Sequence, residues 1–361
     1  MIHGRPEESE QAAYNSKVMK RIFYIIFGGL TLTTGCSKFG HDADSRIGLS
    51  VGICSLDIDT KVAGANPYDE TMISGTNSFE TAVWFSLKND IFENNPDNTS
   101  FLPCHTTMNF TSTGITYASY KNGNLEKDLT YPIPEDGKAA SVYCVGFYPS
   151  SGWLTSDGET VSHEITGSED LMYAPKITGD WVNRFSEQTY NHQLTWLKIN
   201  ACATTMEAGK QWGDIAKVEV VSDQYINIDL TKATGNISFN TPVYITTFEN
   251  TDTWVENVYD EEEENQGDEY VNQQLTLNST EVGSVFCSPE KQYSIRITMK
   301  SGVVKNLDIP LKNLNGGQLT SESEAAGKLF VINLYFQPFA IVEGTSMLYY
   351  WNNKNEDLLP M

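Results

Sequence analysis

Apolar residues alternate with small ones in the first patterned segment of the chain, where Ile47, Leu49, Val51 and Ile53 are separated by Gly, Ser and Gly. Because successive side chains of a β-strand point to opposite faces, this alternation predicts a strand with one apolar face. Other apolar or alternating segments of strand length predict strands at residues 82–87, 114–120, 140–148, 194–199, 217–221, 225–230, 237–240, 243–246, 274–277, 293–299, 329–336 and 346–351.

Clusters of Asn, Asp, Gly and Pro separate these segments, as is typical of β-proteins with many turns. Residues 297–309 carry two patterned arms around Ser301 and Gly302, which predicts a hairpin. The spacing of an amphipathic helix is not sustained over three turns anywhere, and residues 322–327 are the best candidate for a short helix. The pattern therefore predicts an all-β fold.

The length of 361 residues exceeds what one small core usually holds, which favours two β-sandwich domains. The less patterned stretch 179–189 separates the two series of strands. We therefore expect an N-terminal sandwich at residues 46–186 and a C-terminal sandwich at residues 187–361. The acidic run 260–264 predicts a solvated loop, with weak binding of a divalent cation as the alternative.

The N-terminal segment has the features of an export signal. A basic start precedes the apolar residues 22–35, which are fewer than the roughly 20 that a membrane-spanning helix needs. Small residues then lead to Cys36, as in bacterial lipoprotein signals. We interpret residues 1–35 as a signal peptide with its true start at Met19, Cys36 as the lipidated residue and residues 36–45 as a tether. A soluble secreted protein with a cysteine after its cleavage site is the alternative.

Composition narrows the classes of partner. The chain has 24 Lys and Arg against 47 Asp and Glu, a formal net charge of −23 that repels polyanions. Nucleic-acid binding is therefore not expected. The 18 Tyr, 16 Phe and 7 Trp indicate a packed chain, since acidic disordered chains have few aromatic residues.

The sequence lacks the spacing of a known catalytic or metal site. His105, His163 and His192 are candidates for a general base or a metal ligand, but none belongs to a spaced pair. Zinc-protease, nucleophile-elbow, phosphate-loop and EF-hand motifs are absent from the sequence, and the cysteines show no metal-like spacing. We expect no enzymatic activity, no cofactor and no metal. A glycosidase with dispersed carboxylates is the open alternative.

Several segments, taken in order, resemble the fimbrillins, the type V pilin subunits of Bacteroidetes-type bacteria, and in particular their Mfa-like branch. Each is weakly specific alone, and together they cover nearly all of the chain after the signal. They are Cys36, AVWFSL at 82–87, YPIP at 131–134, VYCVGFYP at 142–149, DLMYA at 170–174, NHQLTWLKI at 191–199 and GKLFVINLYFQPFAIVEG at 327–344.

The resemblance implies two tandem transthyretin-like β-sandwiches in a lipoprotein of the outer membrane and cell surface. It implies a structural or adhesive fimbrial subunit that assembles by donor-strand exchange. A trypsin-like protease removes the first strand, and a strand from another subunit fills the groove. The implied partners are other fimbrial subunits, that protease and outer-membrane lipid. The strand to be displaced is the one that contains Ile47, Leu49, Val51 and Ile53.

Cleavage is expected after a basic residue that follows this strand. Lys61 fits best, whereas Arg46 is the alternative and would leave the strand in place. The family commonly has Arg at this site, so Lys61 departs from its pattern. The hypothesis requires that the first strand belongs to a sheet without being locked between two neighbouring strands.

The candidate donor strand lies near the C-terminus, where Met347, Tyr349 and Trp351 alternate in a segment that is apolar on both sides. The alternative is that this segment is only the last strand of the second sandwich. The alternative function is a monomeric outer-membrane surface lipoprotein that binds a glycan or a host protein. Aromatic loops around Trp153 or Trp181 are the candidates for that binding.

Overall fold

β-Strands account for most of the chain that the structure, a computed structural model, describes. The described residues are 49–56, 79–93, 102, 104–110, 115–117, 119–122, 125–134, 137–250, 275–339 and 341–349. The strands are β1 Ser50–Leu56, β2 Phe79–Ser86, β3 Cys104–Phe110, β4 Ile115–Tyr117, β5 Ser119–Asn122, β6 Leu125–Asp128, β7 Val142–Tyr148, β8 Leu154–Thr155, β9 Thr160–Glu164, β10 Met172–Gly179, β11 Gln188–His192, β12 Thr195–Ala203, β13 Ile215–Asp229, β14 Asn236–Glu249, β15 Thr280–Cys287, β16 Gln292–Met299, β17 Val304–Pro310, β18 Leu329–Phe336 and β19 Val342–Tyr349. The predicted all-β class is confirmed.

The described strands form three larger sheets and one small hairpin. The first sheet has the order β3-β2-β7-β10-β11-β1-β4. The second sheet has the order β15-β12-β18-β19. The third has the order β17-β16-β13-β9-β8, with β14 also paired to β13, and β5 pairs with β6. Strands β3 and β4 end the order of the first sheet on opposite sides, yet only residues 111–114 separate them in the chain.

Both faces of strand β2 in the first sheet are buried. On β2, Val83 and Phe85 enter one core, whereas Ala82 and Trp84 enter a second, larger core. The alternation is that of a strand whose two faces both pack, which explains the continuous apolar runs in β2 and β7. We name the smaller cluster the first-strand core; its buried members are Leu49, Val51, Val83, Phe85, Leu102, Cys104, Met108, Phe110, Leu129, Tyr131, Val142, Cys144, Met172, Ala174 and Tyr190.

The predicted hairpin is confirmed. Strands β16 and β17 pair antiparallel, and the turn places Gly302 at φ 83°, a left-handed conformation that glycine adopts without strain. The longer hairpin of β13 and β14 joins segments that we expected to be separate strands. Strand β13 stays continuous because residues 215–220 pair with β16 on one side and residues 225–229 pair with β9.

Two local expectations are wrong. The alternating segment 274–277 forms no strand over its described residues, because Leu275 is buried beside the helix α1, Met206–Trp212. The helix itself has seven residues and is too short to show an apolar periodicity. Thr205 caps it by accepting a hydrogen bond from the Ala208 N–H. The helix expected at residues 322–327 is a single 3₁₀ turn, Glu322–Glu324.

Strands on each side of the expected domain boundary at residue 186 pair with strands on the other side of it. Strand β11 follows the boundary but pairs with β10 and β1 in the first sheet. Strands β8 and β9 precede it but belong to the third sheet. The division into two transthyretin-like domains stays a prediction. The signal peptide, the tether and Cys36 lie outside the described residues.

Candidate functional site

The strand β1 is the part of the structure on which the expected assembly depends. Residues 50–52 pair antiparallel with β4, and residues 53–56 pair parallel with β11, beginning with Ile53 opposite Gln188. The register shifts between Ile53 and Ser55. Each half of β1 is therefore paired with a different neighbour, over only three residue pairs in each case.

The position of β1 differs from a free edge strand. It lies between β11 and β4 in the strand order, so removing it would open a gap inside the first sheet. The donor-strand hypothesis requires that β1 is not locked between two neighbouring strands. This requirement is met only in part, because β1 has two neighbours but each of them pairs with a different half of the strand. Strand β4 takes the side of β1 away from β11 in the order of the first sheet.

Two apolar residues, Leu49 immediately before β1 and Val51 within it, fill the first-strand core. Leu49 and Val51 are both 0% exposed, and the Leu49 N–H donates to the Leu129 carbonyl oxygen over 2.7 Å. Burying two such side chains stabilises the fold by about 3–6 kcal/mol. Ile53 belongs to β1, and Ile47 lies outside the described residues. Leu49 and Val51 thus lie in the core, as the alternation predicts.

The first-strand core is tightly packed around a buried tyrosine. Tyr190 on β11 is 0% exposed, and its hydroxyl donates to Thr81 Oγ1 over 3.0 Å. A Cβ atom placed on Gly146 would lie 2.2 Å from that hydroxyl oxygen. Glycine at residue 146 is therefore required by the approach of the ring. Phe110 packs edge-on against Tyr190, with ring centroids 6.3 Å apart.

Besides Thr81, a second buried polar side chain lies among these apolar groups. Gln188 on β11 is 1% exposed and lies beside the buried Cys144 thiol; burial raises the pKa of that thiol, and a side-chain hydrogen bond with Gln188 acts in the opposite direction. Sequence reasoning missed this residue, because a glutamine at the start of a strand gives no signal of burial. Its position opposite Ile53 of β1 is visible only in the strand pairing.

The expected processing residues lie outside the described residues, which are interrupted between Leu56 and Phe79. The sequence nevertheless limits the choice. Lys61 is the only Lys or Arg between those two strand ends, and it follows the end of β1 by five residues. Arg46 precedes β1. Cleavage after Lys61 would therefore separate all of β1 from β2, and cleavage after Arg46 would not.

The candidate donor segment is the last strand of the second sheet. Strand β19 pairs antiparallel with β18 along all eight of its residues. Met347 is 50% exposed, whereas Tyr349 is half-buried and packs against the larger core. Trp351 lies outside the described residues. Ser346 Oγ donates to the Pro310 carbonyl oxygen over 2.7 Å, so β19 is also fixed to β17. Donation of this strand to another subunit stays a prediction.

The three candidate histidines have separate structural partners. His105 stacks on Trp84 with ring centroids 3.6 Å apart, and its Nε2 lies 2.7 Å from the Phe92 carbonyl oxygen. Burial lowers the pKa of His105 to about 4, although the bond to Phe92 acts in the opposite direction. His163 packs on Trp153, with ring centroids 4.7 Å apart.

His192 forms a buried pair with Asp170. These histidines are therefore assigned structural contacts and not a shared site. Among the described residues, no group of three or more His, Cys, Asp and Glu is placed to hold a metal ion.

Cysteines 104, 144, 202 and 287 are unpaired and buried. Burial raises the pKa of Cys104 to about 12, so this thiol stays protonated at neutral pH.

Of the aromatic residues expected in a binding loop, Trp153 is buried and Trp181 is partly buried. Trp153 is 7% exposed and lies against Phe147, and Trp181 packs beside the first-strand core. A different aromatic residue is exposed. Phe339, between β18 and β19, is 87% exposed and has φ 62°. Its N–H donates to Gln211 Oε1 over 3.3 Å, which links the turn to α1.

Solved structures of bacterial surface proteins are similar to this chain over most of their length. A candidate cell adhesion protein from Bacteroides uniformis shares 13% identity with a TM-score of 0.47, covering 86% of this chain and 99% of its own. A candidate polysaccharide-binding protein from Bacteroides thetaiotaomicron shares 10% identity with a TM-score of 0.46, covering 86% and 99%. The fimbrial anchor protein Mfa2 from Porphyromonas gingivalis shares 9% identity with a TM-score of 0.40, covering 85% and 98%.

These proteins are of the kind that the sequence resemblance names. No protein-family model matches the sequence, and no curated protein matches it. All three identities are below 25%, and all three TM-scores are below 0.5. Among the described residues, no helix is both long and apolar enough to cross a bilayer.

Proposed function

We propose that this protein is a structural or adhesive fimbrial subunit on the surface of a bacterium. It is exported as a lipoprotein through Cys36, anchored to the outer membrane by lipid, and folds as two tandem transthyretin-like sandwiches. It acts without catalysis. It assembles when a trypsin-like protease removes β1 and a strand from another subunit takes its place. The sequence resemblance and the position of β1 support this proposal.

The observation that carries the proposal is that side chains at the start of β1 are completely buried while its backbone forms few pairs with the neighbouring strands. Leu49 and Val51 are completely buried, yet β1 has only three residue pairs with each neighbouring strand. Loss of the strand would leave an apolar gap and unpaired backbone groups on both β11 and β4. Such a gap is a template for another extended segment, because backbone hydrogen bonds and alternate side-chain pockets are then available together.

Lys61 determines whether this gap can open. It is the only basic residue between β1 and β2, so a trypsin-like enzyme has one site in this segment. The product would keep β2 and all later strands. The expected donor is the segment that contains Met347, Tyr349 and Trp351. Donation would require this segment to leave β18, at the cost of eight residue pairs.

The experiment treats the purified full-length chain with a trypsin-like protease and follows assembly by gel electrophoresis without boiling and by electron microscopy. The wild-type chain should give a ladder of bands and filaments whose subunits begin at Val62. Lys61→Gln should stay monomeric. Lys88→Gln is the matched control, because Lys88 is exposed in the turn after β2 and should not affect assembly.

Two results would contradict the proposal. One is a filament whose subunits still begin at Cys36. The other is equal assembly by the Lys61→Gln variant. A single monomer band in every sample, combined with binding of the intact chain to a glycan or host protein, would favour the alternative of a monomeric surface lipoprotein. A chain lacking residues 346–361 that still assembles would exclude the donor segment alone.

A further inference from the structure

The outer face of the strand β14 is an uncharged polar surface. It is formed by exposed residues at alternate positions, which are Asn236, Ser238, Asn240, Pro242, Tyr244 and Thr246. The apolar residues between them pack into or against the larger core. Residues 233–248 contain no Asp, Glu, Lys or Arg, although 20% of the chain is charged and its formal net charge is −23. Strand β14 therefore presents hydroxyl and amide groups on an otherwise acidic protein.

Tyr244 is held in place on this face by an arginine from another strand. Its side chain is 48% exposed, and the guanidinium carbon of Arg296 on β16 lies 3.7 Å from the ring centroid. Arg296 Nε in turn donates to Glu219 Oε2 over 2.7 Å. A guanidinium over an aromatic face is an attractive contact, so one face of the ring is covered and the exposed surface lies at the other face and the edge. The ring is oriented before a ligand arrives, which reduces the entropy that binding costs.

A second exposed tyrosine lies on the same face. Tyr225 of β13 is 36% exposed and is paired with Asn240, whereas Tyr244 is paired with Val221 of β13. Side chains at every second position of a strand share one face, and the register of β13 and β14 does not shift between these pairs. The two positions are about 13 Å apart along the strand, from roughly 3.3 Å per residue over four residues. Two aromatic side chains and the polar row between them thus form one surface.

This combination of groups matches the chemistry of a sugar. The faces of a sugar ring carry C–H groups that pack against an aromatic ring, and its rim carries hydroxyls that exchange hydrogen bonds with amides and hydroxyls. The net charge of −23 repels polyanions, so acidic polysaccharides are disfavoured. The distance between the two tyrosines exceeds the length of one sugar ring, which favours an oligosaccharide that meets both.

A second copy of the chain that pairs along the edge of β14 is the competing occupant. Within the part of the chain that the structure describes, β14 is paired with β13, so its other edge could template another strand. That edge is interrupted near its centre, because Pro242 has no N–H and Thr241 has φ 67°. Thr247 is already covered, since a Cβ atom on Gly283 would lie 2.2 Å from its Oγ1. The exposed face therefore offers a more continuous surface than the edge.

We propose that the outer face of β13 and β14, at Tyr225 and Tyr244, binds an uncharged glycan. The two tyrosines pack against different sugars, and Asn240 and Thr246 exchange hydrogen bonds with their hydroxyls. This inference rests on the adhesive part of the proposed function. It requires neither cleavage after Lys61 nor replacement of β1.

The experiment applies the purified full-length chain, without protease treatment, to an array of neutral and charged glycans. The affinity for the neutral glycan that is bound most strongly is then measured by isothermal titration calorimetry. Tyr244→Ala should weaken binding about tenfold and Tyr225→Ala about threefold, because each ring contributes contact with one sugar. Tyr244→Phe keeps the ring and should bind within about twofold of the wild type. Phe339→Ala is the matched control, because it removes an aromatic side chain that is 87% exposed outside this surface.

Urea unfolding of each variant separates binding from stability, since Tyr244→Ala also removes the contact with Arg296. If that variant does not fold, Tyr225→Ala decides the question alone. Binding by both alanine variants that equals that of the wild type would overturn the inference, and so would a wild-type chain that binds no neutral glycan. A wild-type dimer in analytical ultracentrifugation that Tyr244→Ala dissociates would assign the face to a second copy instead. The comparison of wild type with Lys61→Gln tests assembly independently of all these results.

Discussion

Truncation of Leu49, which immediately precedes β1, and of Val51 within it tests whether this segment holds the first-strand core together. Leu49→Ala and Val51→Ala remove side chains that are 0% exposed, so each leaves a cavity that the neighbouring side chains fill only in part. Buried Leu→Ala changes cost about 2–5 kcal/mol of unfolding free energy. Val51→Ala removes two methyl groups and should cost about 2 kcal/mol, at roughly 0.8 kcal/mol for each group and a further contribution from the cavity.

The two changes together should lower the free energy of unfolding by about 4–6 kcal/mol, since residues so close share one cavity and do not add fully. This loss is comparable with the 5–15 kcal/mol that stabilises a typical domain. The assay is urea unfolding of the full-length chain, combined with hydrogen exchange at the amides of β11. Exchange at Tyr190 should accelerate in the double variant, because β11 would lose its neighbour first.

The matched control is Leu154→Ala, a change of the same size at a side chain that is 70% exposed. It should alter the free energy of unfolding by less than about 0.5 kcal/mol. If Leu49→Ala lowers the free energy of unfolding no more than this control does, Leu49 is not buried in solution and the β1 segment does not fill the first-strand core. The proposed exchange would then have no apolar gap to fill.

Two other predictions concern residues around the same sheet. Gly146→Ala should lower the thermal midpoint by several degrees, because its Cβ would lie 2.2 Å from the Tyr190 hydroxyl and overpacking costs about 1–3 kcal/mol; an unchanged midpoint in calorimetry would contradict this packing. His105 should make unfolding pH-dependent. Burial lowers its folded-state pKa to about 4, below the unfolded value of 6.5, so its contribution is complete above pH 6.5 and is lost as the pH falls towards 4. The difference in urea unfolding between wild type and His105→Gln should change over this interval, and a constant difference would refute the assignment.

The apolar pattern predicted strands best where one unbroken apolar run forms one buried strand. The prediction for residues 329–336 matches β18 in both bounds, and 140–148 contains all of β7. These strands are buried, so the apolar run and the strand coincide. The sequence could not show that the two faces of β2 and β7 enter different cores, because both faces carry the same apolar residue types.

Predictions failed where contacts between distant segments determine the structure. The polar residues Ser222 to Gln224 interrupt the apolar pattern, and we expected two strands there. The strand β13 continues through them because its partner on one side changes from β16 to β9. Between the residues of β13 that pair with β16 and those that pair with β9, the Ser222 hydroxyl forms a hydrogen bond with the Ser288 hydroxyl, with their oxygens 3.2 Å apart. A pattern along one segment contains no information about such a change of partner.

The candidate site was predicted in part for the same reason. Alternation predicted that Leu49 and Val51 would be buried, because burial of an alternating face is a local property of the strand. It could not give the two neighbours of β1, since β4 lies more than fifty residues later in the chain and β11 more than one hundred and thirty later. Gln188 escaped prediction because its burial comes from distant strands that pack around it, which its own place in the sequence does not show.

The staggered pairing of β1 also limits how any other strand could occupy its place. Strand β11 accepts a neighbour that runs parallel to it, and β4 accepts one that runs antiparallel, so both constraints fix the same direction. The register shift between Ile53 and Ser55 falls where the pairing passes from β4 to β11, and an extra residue in a strand bends it and increases its twist at that point. A replacement strand that ran in the opposite direction would pair with neither neighbour in the present register. In the proposed assembly, the chain direction of the donor is therefore set by the two strands that β1 leaves behind, and the side chains of the donor decide only how well it fits.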